Sequence, residues 1–221
     1  MNGSVRVLSW NVRSLRDDAA GVAAVLADLA PDIALIQEAP RLLGSRLANA
    51  RLARRAGLVR AAGGAPAAGN LLLVSPRVRV VEAHPVRLPR RRGLHRRGVV
   101  LGVLELAGAR LGVAGTHLDL DPAARLANAQ RVRGALPATY PLVVGADVNE
   151  EPGGPAWEAL SEGLVDVGRG CGATFPLHAP RRRLDALLVD PRLDVLDVRV
   201  PRPGPVTDHL PVVADLGWPP A

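Results

Sequence analysis

Polar side chains that could bind a cation or move a proton stand where apolar, strand-like segments of this sequence begin or end. Asn11 follows VRVLSW, Glu38 ends DIALIQE, and His117 ends the segment VAGTH. Five more residues of this kind border the later apolar segments: Asp147, Asn149, Asp185, Asp208 and His209. Strand ends hold functional residues in α/β proteins because rigid strands position them and loops shape the space around them. Such a set in one chain indicates a functional site rather than a series of loop caps.

The oxygen-bearing members of this set predict a divalent-cation site. Glu38, Asp208 and the Asn11 amide offer hard oxygen ligands, which suit Mg²⁺ or Mn²⁺. The sequence lacks the clustered Cys and His residues that would indicate zinc. A cation bound there would neutralise phosphate oxygens and a leaving oxyanion, so the predicted chemistry is hydrolysis of a phosphoester.

Two further pairs suit proton transfer. His209 belongs to the residue type that titrates near neutral pH, and a carboxylate on its second ring nitrogen, with Asp185 as the candidate, would fix its tautomer. Asp147 and Asn149 are two residues apart, so they face the same side if the backbone there is extended. One of them could orient a water molecule while the other donates to a developing oxyanion. The sequence leaves these pairings open.

The elements that would position these residues alternate between strands and helices, which is typical of an α/β fold. Residues 5–10 and 32–38 are predicted strands on either side of a helix that begins near Asp17 or Asp18. The sequence then predicts a basic helix over 41–60, a loop over 61–70, a hairpin around Ala107, Gly108 and Ala109, a helix over 121–136 and three late strands. Because Pro and Gly are scattered rather than gathered into a linker, we expect residues 1–221 to form a single domain.

Composition limits the partners of this chain. Of the 221 residues, 48% are hydrophobic, which is enough for a sizeable core and excludes a wholly disordered chain. Net charge is +7 and all 28 basic residues are arginine, so phosphate-bearing partners are favoured, although a GC-rich coding bias also enriches arginine. Aromatic residues make up only 2%, which leaves few rings to stack on nucleobases.

Several features favour a protein of the cytoplasm. Cys171 is the only cysteine, so no intramolecular disulfide can form, which fits a reducing compartment. The first residues lack the apolar core of a signal peptide, and no apolar stretch reaches the roughly 18 residues that a membrane-spanning helix needs. We therefore expect a cytoplasmic protein without a membrane span. The sequence is silent on oligomeric state, and a monomer is the default expectation.

Six short stretches resemble the motifs of a known family. They are SWNV (9–12), IQE (36–38), THLD (116–119), GADVNEEP (145–152), RLDALLV (183–189) and TDHLPV (207–212). In this order they resemble the endonuclease/exonuclease/phosphatase superfamily of deoxyribonuclease I-like metal-dependent phosphoesterases. This chain departs from the family pattern at Ala146, inserted before the acid, and at Ala186, where an aromatic residue is common. The resemblance implies a four-layer α/β sandwich, in which two packed mixed β-sheets are flanked by helices.

The resemblance also implies roles in metal binding and water activation. Asn11 and Glu38 would bind the divalent metal, Mg²⁺ or Mn²⁺, with Asp208 nearby. His209, paired with Asp185, would activate or orient the attacking water in members that use this assignment.

Further roles follow from the same resemblance. Asp147 is the base in other members of the family, and Asn149 would stabilise the pentavalent transition state. His117 would contact the scissile phosphate, and its presence counts against the abasic-site endonuclease branch. Asn70, in GNLLLVSPRVRV, and Arg97, in the basic segment PRRRGLHRRG, are candidate substrate contacts.

Three functions are consistent with these features. The first is a nuclease-like phosphoesterase that hydrolyses phosphodiester bonds by in-line attack of an activated water, and the arginine excess favours it. The second is a phosphodiesterase or phosphatase for a small-molecule or lipid phosphoester, which the short loops and few aromatic residues favour. The third is a non-catalytic binding protein on the same fold, which the full set of site residues disfavours.

Overall fold

The computed structural model describes residues 4–90 and 92–218, and within them the chain forms twelve β-strands and four α-helices. The strands are β1 (Ser4–Asn11), β2 (Ile33–Gln37), β3 (Val59–Gly64), β4 (Asn70–Val74), β5 (Arg79–Arg87), β6 (Gly98–Leu106), β7 (Ala109–His117), β8 (Leu142–Asp147), β9 (Val165–Asp166), β10 (Asp185–Val189), β11 (Asp194–Arg199) and β12 (Val212–Gly217). The helices are α1 (Ala19–Leu29), α2 (Ser45–Arg55), α3 (Pro122–Ala135) and α4 (Pro155–Ser161).

The strands form two mixed sheets of six strands each. The first sheet has the order β11-β12-β1-β2-β4-β3, and the second has the order β5-β6-β7-β8-β10-β9. At the centre of each sheet lies one parallel pair, β1 with β2 and β7 with β8, and the other neighbouring strands are antiparallel. The carboxyl ends of each parallel pair therefore share one edge of their sheet.

Successive side chains of each central strand face opposite sides of its sheet, so one set packs between the two sheets and the other packs against the helices. In β1, Val5 and Val7 pack into the core between the two sheets, whereas Leu8 and Trp10 pack against α1 and α2. On the second sheet, alternate residues of β7, β8 and β10 pack against α3 and α4. The order helices, sheet, sheet, helices confirms the predicted four-layer α/β sandwich.

One stretch of the sequence was interpreted wrongly. The basic helix predicted over 41–60 is only Ser45–Arg55, and part of the predicted loop over 61–70 is strand β3. This strand contains Ala and Gly in place of β-branched residues, so its composition does not indicate a strand. Gly63 is required there because a Cβ atom on it would lie 2.2 Å from the Asn70 carbonyl oxygen.

The space between the two sheets changes from apolar to polar at one end. The alternation that places Val7 between the sheets also places Ser9 and Asn11 there, and β8 does the same with Gly145 and Asp147. The sheets approach closely at this end, since a Cβ atom on Gly145 would lie 2.8 Å from Ser9 Oγ. Side chains from both sheets therefore meet in one polar cluster.

The described helices include none with the length and apolar character needed to span a bilayer.

Candidate active site

A buried carboxylate and a histidine form the innermost contact of the polar cluster. Asp185 is the first residue of β10, and His209 lies in the loop just before β12. The Nδ1 atom of His209 lies 2.8 Å from Asp185 Oδ2, and both side chains are buried. The Phe175 ring packs against the imidazole with 4.7 Å between ring centroids, and Trp10 Nε1 donates to the His209 carbonyl at 2.9 Å. These contacts fix the histidine in one orientation, with Nε2 directed toward Asp147.

Asp147, at the end of β8, lies at the centre of the cluster. Its Oδ2 atom accepts a hydrogen bond from Asn11 Nδ2 at 2.8 Å and lies 3.4 Å from His117 Nε2 and 3.9 Å from His209 Nε2. Asn11 comes from the first sheet, whereas Asp147 comes from the second. The carboxylate therefore joins the two sheets at their polar end, and both histidines face the same oxygen.

Asn149 contacts His117 with a backbone conformation that differs from the extended one considered from the sequence. Its backbone is not extended, since its φ is +55°, in the left-handed region that Asn tolerates. The backbone N–H of Asn149 donates to Asp147 Oδ1 at 3.0 Å, and its Nδ2 atom lies 2.8 Å from His117 Nε2 and donates to the Leu118 carbonyl at 3.0 Å. Because Nδ2 is a donor, His117 Nε2 accepts and its ring proton lies on Nδ1.

The two histidines have opposite electrostatic surroundings. Burial would lower the pKa of His209, but the Asp185 carboxylate, with Asp147 and Asp208 nearby, raises it to about 10. Burial lowers the pKa of His117 to about 3, because the attraction of Asp147 does not offset it and Arg97 opposes protonation. At neutral pH in the metal-free protein, His209 is therefore an imidazolium and His117 is a neutral imidazole.

Glu38 and Asn11 fit a divalent cation in their chemistry. The Asn11 amide donates to Glu38 Oε1 at 3.3 Å as well as to Asp147, so a single amide group lies between two carboxylates. Asp185 Oδ1 is buried and has no hydrogen-bond partner among the described residues. The Glu38 carboxylate lines the cleft, and carboxylate and amide oxygens are the ligands that hard cations such as Mg²⁺ prefer.

The buried residues Asp147, Asp185 and His209 could also hold a metal ion, because one ligand atom from each lies within 4.8 Å of the others. In that arrangement a cation would compete with the close Asp185–His209 hydrogen bond. At Glu38, Asn11 and Asp147 a cation would instead replace the hydrogen bonds that Asn11 Nδ2 donates, because Asn11 would bind through Oδ1, which accepts from the Arg13 N–H at 2.9 Å. Binding at this group would keep the Asp185–His209 hydrogen bond.

The remaining predicted site residues lie at different distances from the cluster. Arg97 is 8% exposed and lines the cleft above His117, with its Nε atom 3.7 Å from Asp119 Oδ2. Asp208 lies beside the cluster but faces Arg13, whose Nε is 3.4 Å from its carboxylate. Asn70 is buried, and its amide donates to the carbonyls of Ala67 and Gly98 at 2.9 Å, so it holds backbone segments together.

The cluster opens into a cleft of about 610 Å³. Its floor is formed by polar residues from four loops and strand ends: Glu38, His117, Asp147, Asn149 and His209. Several residues that line the walls of the cleft were not predicted from the sequence, namely Arg41, Leu42, Leu43 and Leu120. Leu42 and Leu43 are exposed and lie in a loop, and only their position four and five residues after Glu38 could have indicated them.

The fold and the cluster together define an α/β-sandwich phosphoesterase scaffold. The sequence profile of the Endonuclease/Exonuclease/phosphatase family matches residues 8–209. The chain therefore belongs to this family, whose members hydrolyse phosphoesters, and the predicted resemblance is confirmed. No curated protein matches the chain significantly by sequence.

Solved structures share the fold over almost the whole chain. An endonuclease/exonuclease/phosphatase from Bacteroides vulgatus has a TM-score of 0.83 at 18% identity, covering 98% of this chain and 100% of that one. A mannosyl-6-phosphatase from Bacteroides thetaiotaomicron has a TM-score of 0.79 at 18% identity, with 96% and 99% covered. TDP2 from D. rerio, in complex with a single-strand DNA product, has a TM-score of 0.76 at 18% identity, with 97% and 99% covered. At these identities the likeness shows the fold alone.

Proposed function

We propose that this protein is a divalent-metal-dependent phosphoesterase that hydrolyses phosphodiester bonds in a nuclease-like reaction. One observation carries the proposal: Asp147 Oδ2 is buried at the floor of the cleft, within 4 Å of Asn11, His117 and His209. A carboxylate in that position can accept a proton from water while the surrounding groups bind the phosphate. A non-catalytic binding protein on the same fold would have no reason to bury so many polar groups together.

In the proposed metal site, Glu38 and Asn11 would hold Mg²⁺ or Mn²⁺, with Asp208 as a nearby charge. The bound cation would neutralise negative charge on the phosphate and on the leaving oxygen. Support comes from Glu38, whose carboxylate lines the cleft and, among the described residues, accepts only one long hydrogen bond, from Asn11 Nδ2 at 3.3 Å.

We assign the base role to Asp147 rather than to His209. In the metal-free protein Asp185 raises the pKa of His209 to about 10, and an imidazolium cannot accept the proton of the attacking water. His209 Nε2–H then donates to a non-bridging phosphate oxygen, and Asp185 holds the ring in place. The water oxygen bonds to phosphorus opposite the leaving oxygen, its proton passes to Asp147, and the bond from phosphorus to the leaving oxygen breaks.

His117 and Asn149 act on the phosphate in this proposal. His117 is neutral at the pH of the reaction, so its Nδ1–H can donate to the scissile phosphate. Asn149 orients the His117 ring, because its Nδ2 donates to His117 Nε2 and to the Leu118 carbonyl. To stabilise the pentavalent transition state, its amide would exchange the bond to Leu118 for one to the phosphate. Arg97 contacts a phosphate oxygen from the wall of the cleft, whereas Asn70 acts on the substrate only through the backbone that it holds.

The arginine-rich surroundings of the cleft support a nucleic acid substrate, as does the similar fold of D. rerio TDP2 solved with single-strand DNA. A second candidate is a small or lipid phosphoester. It is supported by the exposed leucines at the cleft, by the absence of Trp, Tyr and Phe from its described lining, and by the fold of the mannosyl-6-phosphatase.

A substrate panel tests the proposed function. Plasmid DNA, an RNA oligomer, bis-p-nitrophenyl phosphate, sphingomyelin and an inositol phosphate are each incubated with Mg²⁺ or Mn²⁺ and, in parallel, with EDTA. Metal-dependent cleavage of plasmid or RNA would support the nuclease-like reaction. Cleavage restricted to a small ester or lipid would favour the second candidate, and no cleavage of any phosphoester would contradict both.

A further inference from the structure

Next to the catalytic cleft lies a second depression of about 640 Å³. Five arginines line it: Arg41, Arg87, Arg90, Arg96 and Arg97. Its described lining contains no Asp or Glu, and the other lining residues are Leu42, Ala65, Ala68 and Leu88. A concave surface with this much positive charge and no acid attracts an anion.

The arginines of this depression are largely free to bind a ligand. Within the described part of the chain, Arg41 and Arg87 make only long hydrogen bonds, of 3.3 and 3.4 Å, to the carbonyls of Ala68 and Pro66. Arg87 and Arg96 have no carboxylate within 4 Å among the described residues, and both are exposed. Guanidinium groups without acidic partners bind phosphate oxygens through paired N–H donors.

Arg97 connects the depression with the catalytic cleft. It lines both, is 8% exposed, and its Nε atom is buried without a hydrogen-bond partner among the described residues. The carboxylate of Asp119 lies 3.7 Å away, which is too far for a hydrogen bond. The accessible part of the Arg97 guanidinium borders both spaces and has no hydrogen-bonded acid, so a ligand that supplies acceptor oxygens there would be favoured.

From this geometry we infer that the substrate carries a second phosphate, which binds in the arginine-lined depression while the scissile phosphate lies over Asp147. The inference rests on the proposed function and narrows its substrate class. A neighbouring phosphate of a nucleic acid strand and the second phosphate of a small bisphosphorylated molecule share this chemistry.

A matched pair of chromogenic esters tests the inference. Thymidine 5′-(p-nitrophenyl phosphate) with and without a 3′-phosphate has the same scissile bond and differs only in the second phosphate. We expect the 3′-phosphate to lower KM in the wild type. The double variant Arg87→Gln/Arg96→Gln should raise KM for the bisphosphate roughly 3- to 30-fold, as expected for two exposed charge contacts, and leave the monophosphate unchanged. Equal effects on both esters would overturn the inference.

Arg54→Gln is the control for loss of charge. Arg54 is exposed near the end of α2 and lines neither cavity, so this variant should leave KM unchanged for both esters. A trinucleotide ester identifies the source of the second phosphate. A KM lower than that of the 3′-phosphorylated ester indicates a nucleic acid strand, and an equal KM indicates a small molecule. Both results are consistent with a second-phosphate subsite.

Binding separates failure of this inference from failure of the proposed function. If neither ester is hydrolysed, calorimetric titration with thymidine 3′,5′-bisphosphate still reports on the depression. Weaker binding to the double variant than to the Arg54→Gln control would support the subsite even without catalysis. Equal binding of the bisphosphate to the double variant and to the control would overturn the subsite. The subsite would also be overturned if the double variant bound phosphatidylserine vesicles less tightly but bound the bisphosphate as well as the control does.

Discussion

Asp147 and Asp185 lie directly opposite each other in the antiparallel pairing of β8 with β10. Both carboxylates are buried, with 1% and 0% of their surface exposed, and like charges facing each other across strands are destabilising. Different partners separate their roles, since Asp185 binds His209 Nδ1 and Asp147 accepts from Asn11. This arrangement at the ends of β8 and β10 is costly for stability, and the proposed catalytic roles of both residues account for it.

The Asp185–His209 contact leads to the first prediction. Asp185→Asn should lower kcat for bis-p-nitrophenyl phosphate by roughly 10²- to 10⁴-fold, because the ring loses the charge that keeps it protonated and oriented. The pH dependence of kcat should lose any alkaline limb at the same time. Circular dichroism checks that the variant is folded, and a folded variant with wild-type kcat would refute the role of this pair.

The pKa values of His117 and His209 predict that the stability of the metal-free protein passes through a maximum as the pH is varied. His117 has a pKa of about 3 when folded and 6.5 when unfolded, so its contribution to stability is present above pH 6.5 and is lost as pH falls below it. His209 has a folded pKa of about 10, so its contribution is present below pH 6.5 and is lost as pH rises toward 10. Urea unfolding in EDTA between pH 5 and pH 9 measures both limbs.

Single variants assign these limbs to the histidines. His117→Gln should flatten the acid limb, and His209→Gln should flatten the alkaline limb, because neither glutamine titrates. Carboxylates also contribute below pH 5, so the comparison is made with the wild type at each pH. An alkaline limb that is unchanged in His209→Gln would show that Asp185 does not hold a proton on this ring.

The close approach of the sheets at Gly145 leads to the third prediction. A Cβ atom there would lie 2.8 Å from Ser9 Oγ and 2.9 Å from two atoms of Leu35, so Gly145→Ala should destabilise the protein by about 1–3 kcal/mol. Activity should fall as well, because Asp147 is two residues away on the same strand. Gly134→Ala, in α3 with no atom within 4 Å of the new Cβ, should be neutral or stabilising by up to about 1 kcal/mol. Equal unfolding free energies for the two variants would contradict this packing.

The proposed metal site leads to the fourth prediction. Glu38→Gln should raise the Kd for Mn²⁺ roughly 10- to 100-fold, because it removes a charged oxygen beside the Asn11 amide. Glu151→Gln is the matched control, since Glu151 lies near the site in sequence but is 57% exposed and faces Arg182. Calorimetric titration with Mn²⁺ measures both without any substrate. Equal affinities for the two variants would remove Glu38 from the metal site.

Much of the site could be predicted because its residues lie at strand ends. The apolar segments are regular enough to show where strands stop, and the residues that follow them are polar types with distinct chemistry. The expected pairing of His209 with Asp185 is present at 2.8 Å, although their catalytic roles stay predictions. The layer order also followed from the motifs, since their spacing matches a family with one fold.

Other contacts depend on tertiary structure and left no signal in the sequence. Phe175 packs on His209 from a loop more than 30 residues away, and no local pattern indicates that contact. The left-handed backbone at Asn149 changed the expected direction of its side chain. Strand β3 was missed because pairing with β4, rather than the propensity of its Ala and Gly residues, determines its conformation. The arginine depression was indicated only as a basic segment near Arg97.

The most direct test of the central claim compares the wild type with Asp147→Asn. Initial rates of bis-p-nitrophenyl phosphate hydrolysis are measured with Mn²⁺, with Mg²⁺ and with EDTA, and urea unfolding checks that both proteins are folded. We expect wild-type hydrolysis that EDTA abolishes, and a fall in kcat of roughly 10²- to 10⁴-fold for Asp147→Asn, because the amide cannot accept the proton of the attacking water. Hydrolysis that persists in EDTA, or a folded Asp147→Asn variant with the wild-type rate, would contradict the claim.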